Sequence, residues 1–217
     1  MRKYILLNLT GLLVFFLFTC MFISCGKSGE NRLKCAQNLG QITMSMIAFS
    51  GDHGAFFPWH LGSGDKKHIF GKGNPEHLGT IFALEDIRLS LDSPKMLHSS
   101  CDPDRKAIAD YKGYSARENK PIPHAAISYG LCPGSEDILP ETILSITRNV
   151  SGADLKGATF LGNVMKGLEA GQGQYGTSDG SVRQADDARL KEDSLHHAKA
   201  RGGISPDPPS TKIWLPK

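Results

Sequence analysis

Apolar residues dominate the beginning of the chain. Between Tyr4 and Ile23 there is no charged residue, and Leu, Phe, Val and Ile make up most of the run. Arg2 and Lys3 precede it, and a basic start followed by an apolar run is typical of an export signal or a membrane anchor. Because positive charge before such a run stays in the cytoplasm, we expect the following residues on the exported side of the cytoplasmic membrane, in the periplasm or at the cell surface.

The end of this run resembles the processing signal of a bacterial lipoprotein. Small Ser24 stands directly before Cys25, which would be the lipidated first residue of the mature chain. An uncleaved membrane helix is the alternative, because the run is close to the roughly 20 residues that span a bilayer. We therefore predict a signal peptide or membrane anchor over residues 1–24 and a polar tether over residues 25–31.

After the tether, apolar residues recur every three or four positions, which is the period of one helical face. This stripe consists of Leu33, Ala36, Leu39, Ile42, Met46 and Phe49. Much of the other face is polar, with Lys34, Gln37, Asn38, Gln41 and Ser45. The pattern predicts an amphipathic helix with one face on a core, ended by Gly51 and Gly54.

The rest of the chain alternates between short patterned and irregular segments. Residues 55–73 predict a loop, and residues 76–91 predict a short helix closed by Ser93 and Pro94. Short strand-like segments separated by Pro, Gly, Asn and Asp predict a small antiparallel sheet, at residues 95–98, 125–131, 158–165 and 174–185. Residues 187–200 predict a helix. This pattern predicts one globular domain over residues 32–201 and a Pro-rich, mobile tail over residues 202–217.

Charge argues against a nucleic-acid partner. The formal net charge of the whole chain is +3, and it falls to +1 without Arg2 and Lys3. Because the exported part also lacks a block of Lys and Arg, we expect no nucleic-acid binding.

Cysteine usage fits an exported protein. Cys20 lies in the apolar run and Cys25 is the candidate lipid site, which leaves Cys35, Cys101 and Cys132. A disulfide between Cys101 and Cys132 would close a loop of about 30 residues and stabilise the fold by roughly 3–4 kcal/mol on the chain-entropy account. Two free buried thiols are the alternative, because sequence does not reveal their separation.

Four motifs follow one another between Cys35 and Leu190. They are Cys-Ala-Gln-Asn-Leu-Gly-Gln-Ile at 35–42 with Asp-His-Gly-Ala-Phe-Phe-Pro at 52–58, Ser-Cys-Asp-Pro-Asp at 100–104, Ile-Ser-Tyr-Gly at 127–130, and Ser-Asp-Gly-Ser-Val at 178–182. In this order they resemble motifs of pseudopilin-like proteins, the relatives of type II secretion and type IV pilin proteins that are abundant in planctomycetes and verrucomicrobia.

The resemblance implies an α+β fold in which an N-terminal helix packs on a small antiparallel sheet. It also implies a non-catalytic protein that acts through contacts with envelope or secretion-type proteins. The chain lacks the Gly-Phe-Thr-Leu-x-Glu start of that family, and Cys25 and the tether separate its apolar run from the amphipathic helix. A lipid-anchored relative of the globular domain fits these departures better than a polymerising subunit.

Candidate chemical sites are few. Oxygen ligands of Asp179, Ser181 and Asp186 surround a Gly turn, and because pseudopilin relatives can bind calcium in C-terminal loops, calcium at these residues is one interpretation. The other is a hairpin turn in which Asp-Gly supplies a positive φ. The eight histidines form no His-Glu-x-x-His and accompany no Cys-x-x-Cys, so the sequence predicts neither a zinc site nor another cofactor.

Two other functions are alternatives to the envelope role. The aromatic residues Phe56, Phe57 and Trp59 either cap the N-terminal helix or line a pocket, and a pocket would favour a solitary lipoprotein that binds a small ligand, peptide or glycan. An enzyme of an unrecognised class would need a tight cluster of histidines with Asp102, Asp104 or Asp179. No catalytic motif supports that, and we predict a non-catalytic protein.

Overall fold

The computed structural model describes residues 29–137, 139–199 and 210–217. The apolar run and Cys25 lie outside these residues, so the lipid anchor and the membrane helix both stay predictions. Within the described ranges, no helix combines the length and the apolar character needed to cross a bilayer.

The predicted amphipathic helix is present and is named α1. It is helical from residue 29 to residue 52, so residues 29–31 of the predicted tether belong to it. Its fully buried apolar side chains are Cys35, Leu39, Ile42 and Met46, with Phe49 at 1% exposure. Leu33, predicted to lie on this face, is 61% exposed, because two residues from Cys35 correspond to about 200° around a helix. Ser45, predicted on the polar face, is buried and donates to the Ile42 carbonyl at 2.8 Å.

Short helices follow α1 where the sequence predicted a loop and one helix. Helix α2 spans Ser63–Phe70, so the loop prediction is wrong for these residues. Only Phe70 of α2 is buried, which explains why no apolar stripe marks it. Residues 76–91 contain two helices, α3 at Leu78–Phe82 and α4 at Glu85–Leu91.

The predicted strand at residues 95–98 is wrong. Pro94–Leu97 forms a single 3₁₀ turn, and a second one lies at His124–Ala126. Proline favours the first position of a helical turn because its φ is already set, and the Ser93 hydroxyl accepts a hydrogen bond from the Lys95 amide at 3.3 Å.

The α+β class and the antiparallel sheet are confirmed. The sheet described here has four strands in sequence order, β1 at Tyr129–Leu131, β2 at Ile143–Thr147, β3 at Gln172–Thr177 and β4 at Val182–Asp186. All three pairings are antiparallel, and the segment predicted to be strand-like at residues 174–185 contains two strands, β3 and β4, which form a hairpin. Strand β2 was not predicted, whereas residues 158–165 contribute only a bridge of Phe160 to Val150.

Helix α5 follows the last strand of the sheet, and the end of the chain lies along its first strand. Helix α5, Asp187–Lys199, follows β4 directly, as predicted. Of the predicted mobile tail, residues 210–217 are described and lie beside β1. The Trp214 amide donates to the Leu131 carbonyl at 2.8 Å, and the Leu131 amide donates to the Trp214 carbonyl at 3.1 Å. This part of the tail therefore covers an edge of the sheet.

Apolar side chains are buried on both faces of the sheet. The core on the first face joins α1, α3, α4 and β1. The core on the second face contains Tyr175 of β3, Leu190 of α5 and Phe160. Since β2 lies between the two cores, all five of its residues are buried and it shows no alternation of exposed polar positions.

Candidate functional site

Three of the four motifs meet where α1, the loop of residues 98–104 and β1 come together. We call this place the α1 junction, which consists of Cys35, Asn38, Ser99, Cys101, Ser128 and Tyr129. Five of the six are fully buried, and Asn38 is half-buried. Residues that are far apart in the chain therefore share one enclosed polar cluster.

Helix α1 is tied to the other two segments by side chains of the junction. The Tyr129 hydroxyl donates to the Cys35 carbonyl at 3.2 Å and lies 3.6 Å from Cys35 Sγ. The Asn38 amide donates to the His98 carbonyl at 2.9 Å. Burial raises the pKa of Tyr129 well above its ordinary value, so this phenol stays protonated and can donate.

The loop is joined to the residue before β1 by one serine hydroxyl and is braced internally by a second. Ser128 Oγ accepts from the Ser99 amide at 3.0 Å, and Ser99 Oγ accepts from the Cys101 amide at 3.1 Å. The Ser128 amide donates to the Leu97 carbonyl at 2.8 Å. Each bond satisfies a buried polar group that would otherwise destabilise the fold.

Two thiols lie inside the junction. Cys35 and Cys101 are both fully buried, at 0% exposure each. The neighbouring Cys101 thiol and burial raise the pKa of Cys35, and the Cys35 thiol lowers the pKa of Cys101. For Cys132, burial alone raises the pKa.

The disulfide considered between Cys101 and Cys132 is not formed. All three cysteines of the described residues are free and buried. The neighbour of Cys101 is Cys35, which has no partner in the pairing considered from sequence. A usable signal was its position four residues before Leu39, which places Cys35 on the buried face of α1.

The fourth motif forms the turn between β3 and β4. Asp179 Oδ1 accepts from the Thr177 hydroxyl at 2.6 Å and from the Ser181 amide at 2.9 Å. Gly180 has φ +84°, as expected of Asp-Gly in a hairpin turn. A Cβ on Gly180 would lie 3.0 Å from Met44 Sδ, so this turn also contacts α1.

The structure does not assemble the three candidate calcium ligands. Asp179 and Ser181 precede β4, whereas Asp186 is its last residue. Asp186 Oδ1 accepts from the Arg189 amide at 2.8 Å at the start of α5. In the described part of the chain, no three His, Cys, Asp or Glu side chains are grouped to hold a metal ion. The hairpin turn therefore accounts for the motif.

The carboxylates considered for an enzyme have structural partners. Arg148 donates from Nε to Asp102 Oδ2 at 2.7 Å and from Nη2 to Asp102 Oδ1 at 2.6 Å. Arg148 Nη2 also contacts Asp104 Oδ2 at 3.0 Å. These contacts join the loop of residues 98–104 to the residue that follows β2.

The histidines are distributed over different parts of the molecule. His53 Nε2 lies 3.0 Å from Asp86 Oδ2, and His77 stacks on His124 with ring centroids 4.6 Å apart. His197 is fully buried in α5. Its Nδ1 accepts from the Ile143 amide at 3.1 Å, and its Nε2 donates to the Ser210 carbonyl at 2.8 Å.

The aromatic residues after α1 pack inward. Phe57 is fully buried and Trp59 is 8% exposed. The Trp59 indole donates to the Ser135 carbonyl at 3.3 Å, and its ring meets the Trp214 ring edge-on at 6.0 Å. Phe57 and Trp59 therefore belong to the core that also contains the buried face of α1, and they form no exposed aromatic patch.

A cleft lies beside the last residues of the chain. We call it the C-terminal cleft, a space of about 800 Å³ lined by His77, Leu78, His124 and the segment 213–217. His124 Nδ1 accepts from the Lys217 amide at 3.0 Å. Its Nε2 is buried without a hydrogen-bond partner among the residues that the structure describes. Burial lowers the pKa of His124, which favours the neutral ring.

Comparison with known proteins adds no relative. No family model, no curated protein and no solved structure matches the chain. The resemblance of the four motifs to those of pseudopilin-like proteins stays a prediction.

Proposed function

We propose that this chain is a membrane-anchored, non-catalytic pseudopilin-like envelope protein that acts through protein–protein contacts. One observation carries the proposal: the first motif begins within α1, and each of the other three motifs contacts α1. The helix motif supplies Cys35 and Asn38, the next two supply Cys101 and Tyr129, and the hairpin turn meets Met44. The motifs thus hold a helix on a sheet. This is a structural role, which we expect in a protein that acts as a scaffold.

The exposed side of α1 offers a surface for a partner. We call it the outer stripe, which consists of Leu33, Gln37, Gln41, Met44 and Ala48, all exposed. Leu33 is 61% and Met44 52% exposed, and no member carries a charge. Depletion of charge and the presence of methionine are features of protein interfaces. The outer stripe is therefore the surface through which we expect an envelope partner to bind.

The anchor is tested by the intact mass of the full chain purified from membranes, with Cys25→Ser alongside. A diacyl or triacyl adduct on a chain that begins at Cys25, absent from the variant, would establish the lipoprotein form. The same unmodified and uncleaved mass in both would establish the membrane helix instead. A chain recovered only from the soluble cytoplasm would refute the envelope assignment.

The protein contact is tested by photo-crosslinking in intact cells. A benzophenone amino acid at position 33 or 44 samples the outer stripe, and position 89 is the control because Leu89 is 75% exposed on a different helix, α4. We expect adducts of discrete mass from positions 33 and 44 that position 89 does not give. Equal or absent crosslinking at all three positions would refute the outer stripe as a partner surface.

The C-terminal cleft favours a second candidate function, a solitary lipoprotein that binds a small ligand. Its volume of about 800 Å³ lies within the range of ligand sites in proteins. The unpartnered Nε2 of His124 and the neighbouring ring of His77 offer polar atoms there. Native mass spectrometry of the extracted full chain tests this, since a bound small molecule should be lost in His124→Ala and kept in the surface control His196→Ala.

A further inference from the structure

Cys35 and Cys101 are 66 residues apart in the chain but adjacent in the α1 junction. Each thiol shifts the pKa of the other, and the Ser99 hydroxyl accepts a hydrogen bond from the Cys101 amide at 3.1 Å. Tyr129 closes the other side, with its hydroxyl 3.6 Å from Cys35 Sγ. Both side chains are fully buried, so the pair is held in one place by neighbours on three segments of the chain.

Cys132 is placed differently. It is also fully buried, but it belongs to the core on the second face of the sheet, whereas Cys35 and Cys101 belong to the core on the first face. The two Cα atoms of a disulfide lie roughly 4.4–6.8 Å apart. The four-stranded sheet lies between the core that holds Cys132 and the core that holds Cys35 and Cys101. The geometry therefore discriminates among the three possible pairs.

We propose that Cys35 and Cys101 form a disulfide in the exported protein and that Cys132 keeps a free thiol. The proposal rests on the export part of the proposed function, because disulfides persist in oxidising compartments. It differs from the pairing considered from sequence, which joined Cys101 to Cys132.

The reaction needs an oxidant, which would be the disulfide of an envelope thiol oxidoreductase or a small disulfide. The thiolate of one cysteine attacks a sulfur of the oxidant and releases one thiol, forming a mixed disulfide. The second cysteine, as its thiolate, then attacks the protein sulfur of that mixed disulfide and releases the second thiol. Two protein thiols are oxidised to one cystine, and one oxidant disulfide is reduced to two thiols.

The bond would fasten α1 to the loop of residues 98–104. Closing about 66 residues restricts the unfolded chain more than closing about 30 would, so the bond should stabilise the fold more than the Cys101–Cys132 alternative. It would also hold α1 in place beside the segment that leads to the membrane. Burial protects the bond from reductants once the domain has folded.

Peptide mapping of the full chain tests the pairing without a substitution. The chain is extracted from membranes, denatured with N-ethylmaleimide, and digested without reduction. We expect one peptide pair joined through Cys35 and Cys101, and Cys132 carrying maleimide. A bond from Cys132 to either of the other two cysteines would overturn the proposal.

A second arm separates this proposal from the export prediction. The reduced chain is refolded in a buffer of reduced and oxidised glutathione and then mapped in the same way. If the thiols are free as isolated but the Cys35–Cys101 bond forms here, the pairing stands and the oxidising location is wrong. If the chain refolds and both thiols remain free in this buffer, the pairing is wrong.

Thermal unfolding supplies a readout that mapping does not. On reduction, the Tm of the native chain should fall by about 10 °C, and Cys132→Ala should show the same fall. Cys35→Ala and Cys101→Ala should melt at similar temperatures with and without reductant. A fall on reduction that survives in Cys35→Ala would contradict the pairing.

Discussion

The hydroxyl of Thr43 in α1 lies 2.7 Å from the hydroxyl of Ser145 in β2, and both side chains are fully buried. Ser145 pairs across the sheet with Gly176 of β3. A Cβ on Gly176 would overlap the Thr43 hydroxyl and lie 2.8 Å from Ser145 Oγ. The absence of a side chain at Gly176 therefore lets α1 approach the centre of the sheet.

Gly176→Ala should destabilise the protein by about 1–3 kcal/mol, because the added methyl group forces α1 away from β2 or displaces the hydroxyl pair. Urea denaturation gives the free energy of unfolding. Gly64→Ala is the matched control, because Gly64 lies in α2 with nothing within 4 Å of a built Cβ. The control should be neutral or up to about 1 kcal/mol more stable. Equal effects of the two substitutions would show that the approach of α1 does not depend on Gly176.

Asp102→Asn should destabilise the protein by about 2–4 kcal/mol, since it removes the charge of a buried carboxylate that holds both nitrogens of Arg148. The Asp102 side chain is 0% exposed and that of Arg148 is 14% exposed. Asp104→Asn is the control, because Asp104 is 68% exposed and makes one contact to the same arginine. The control should lower the free energy of unfolding by less than about 1 kcal/mol. A similar loss in both variants would mean that burial of the pair is not what stabilises the loop.

Elements with a local signal could be predicted from the sequence, and those that depend on distant partners could not. Helix α1 and the β3–β4 hairpin follow from a 3.6-residue stripe and from the Asp-Gly turn, which are both local. Strand β2 has no polar alternation, because segments far from it in sequence cover both of its faces. Helix α2 buries only Phe70, so no stripe distinguishes it from a loop.

The candidate site shows the same division. The motifs that contain Cys35, Cys101 and Tyr129 were recognised one by one, but their meeting in the α1 junction is a property of the tertiary fold. The pairing considered from sequence joined Cys101 to Cys132 and left Cys35 unpaired. Spatial adjacency of Cys101 and Cys35 arises from packing of α1 against β1, which no spacing along the chain expresses.

His197 should make stability depend on pH below neutrality. Burial lowers its pKa below the ordinary value of 6.5, so the unfolded chain takes up a proton at a higher pH than the folded chain. The contribution of His197 to the free energy of unfolding is then constant above about pH 6.5. Below that pH it falls by at most about 1.4 kcal/mol per pH unit. His197→Asn removes this loss and keeps an acceptor for the Ile143 amide.

The check is the difference in unfolding free energy between the native chain and His197→Asn, measured by urea denaturation at pH 7.5 and pH 5. We expect this difference to shrink by about 1–2 kcal/mol at the lower pH. His196→Asn is the control, because the His196 side chain is 56% exposed. Contributions of His60 and His124, whose pKa values are also lowered by burial, are shared by all three chains and cancel. A difference that does not change with pH would contradict a neutral, buried His197.

Segment 210–217 should behave as part of the sheet, although its composition predicts a mobile tail. The amides of Leu131 and Trp214 each donate to the other residue's carbonyl, so both should exchange slowly with deuterium. Trp214→Ala removes the ring that meets Trp59 and should speed exchange at Leu131, because the segment that carries its acceptor is held less firmly. Lys212→Ala is the control on the same segment, since this side chain is exposed, and it should leave both amides protected. Rapid exchange of Leu131 and Trp214 in the native chain would instead support the mobile tail.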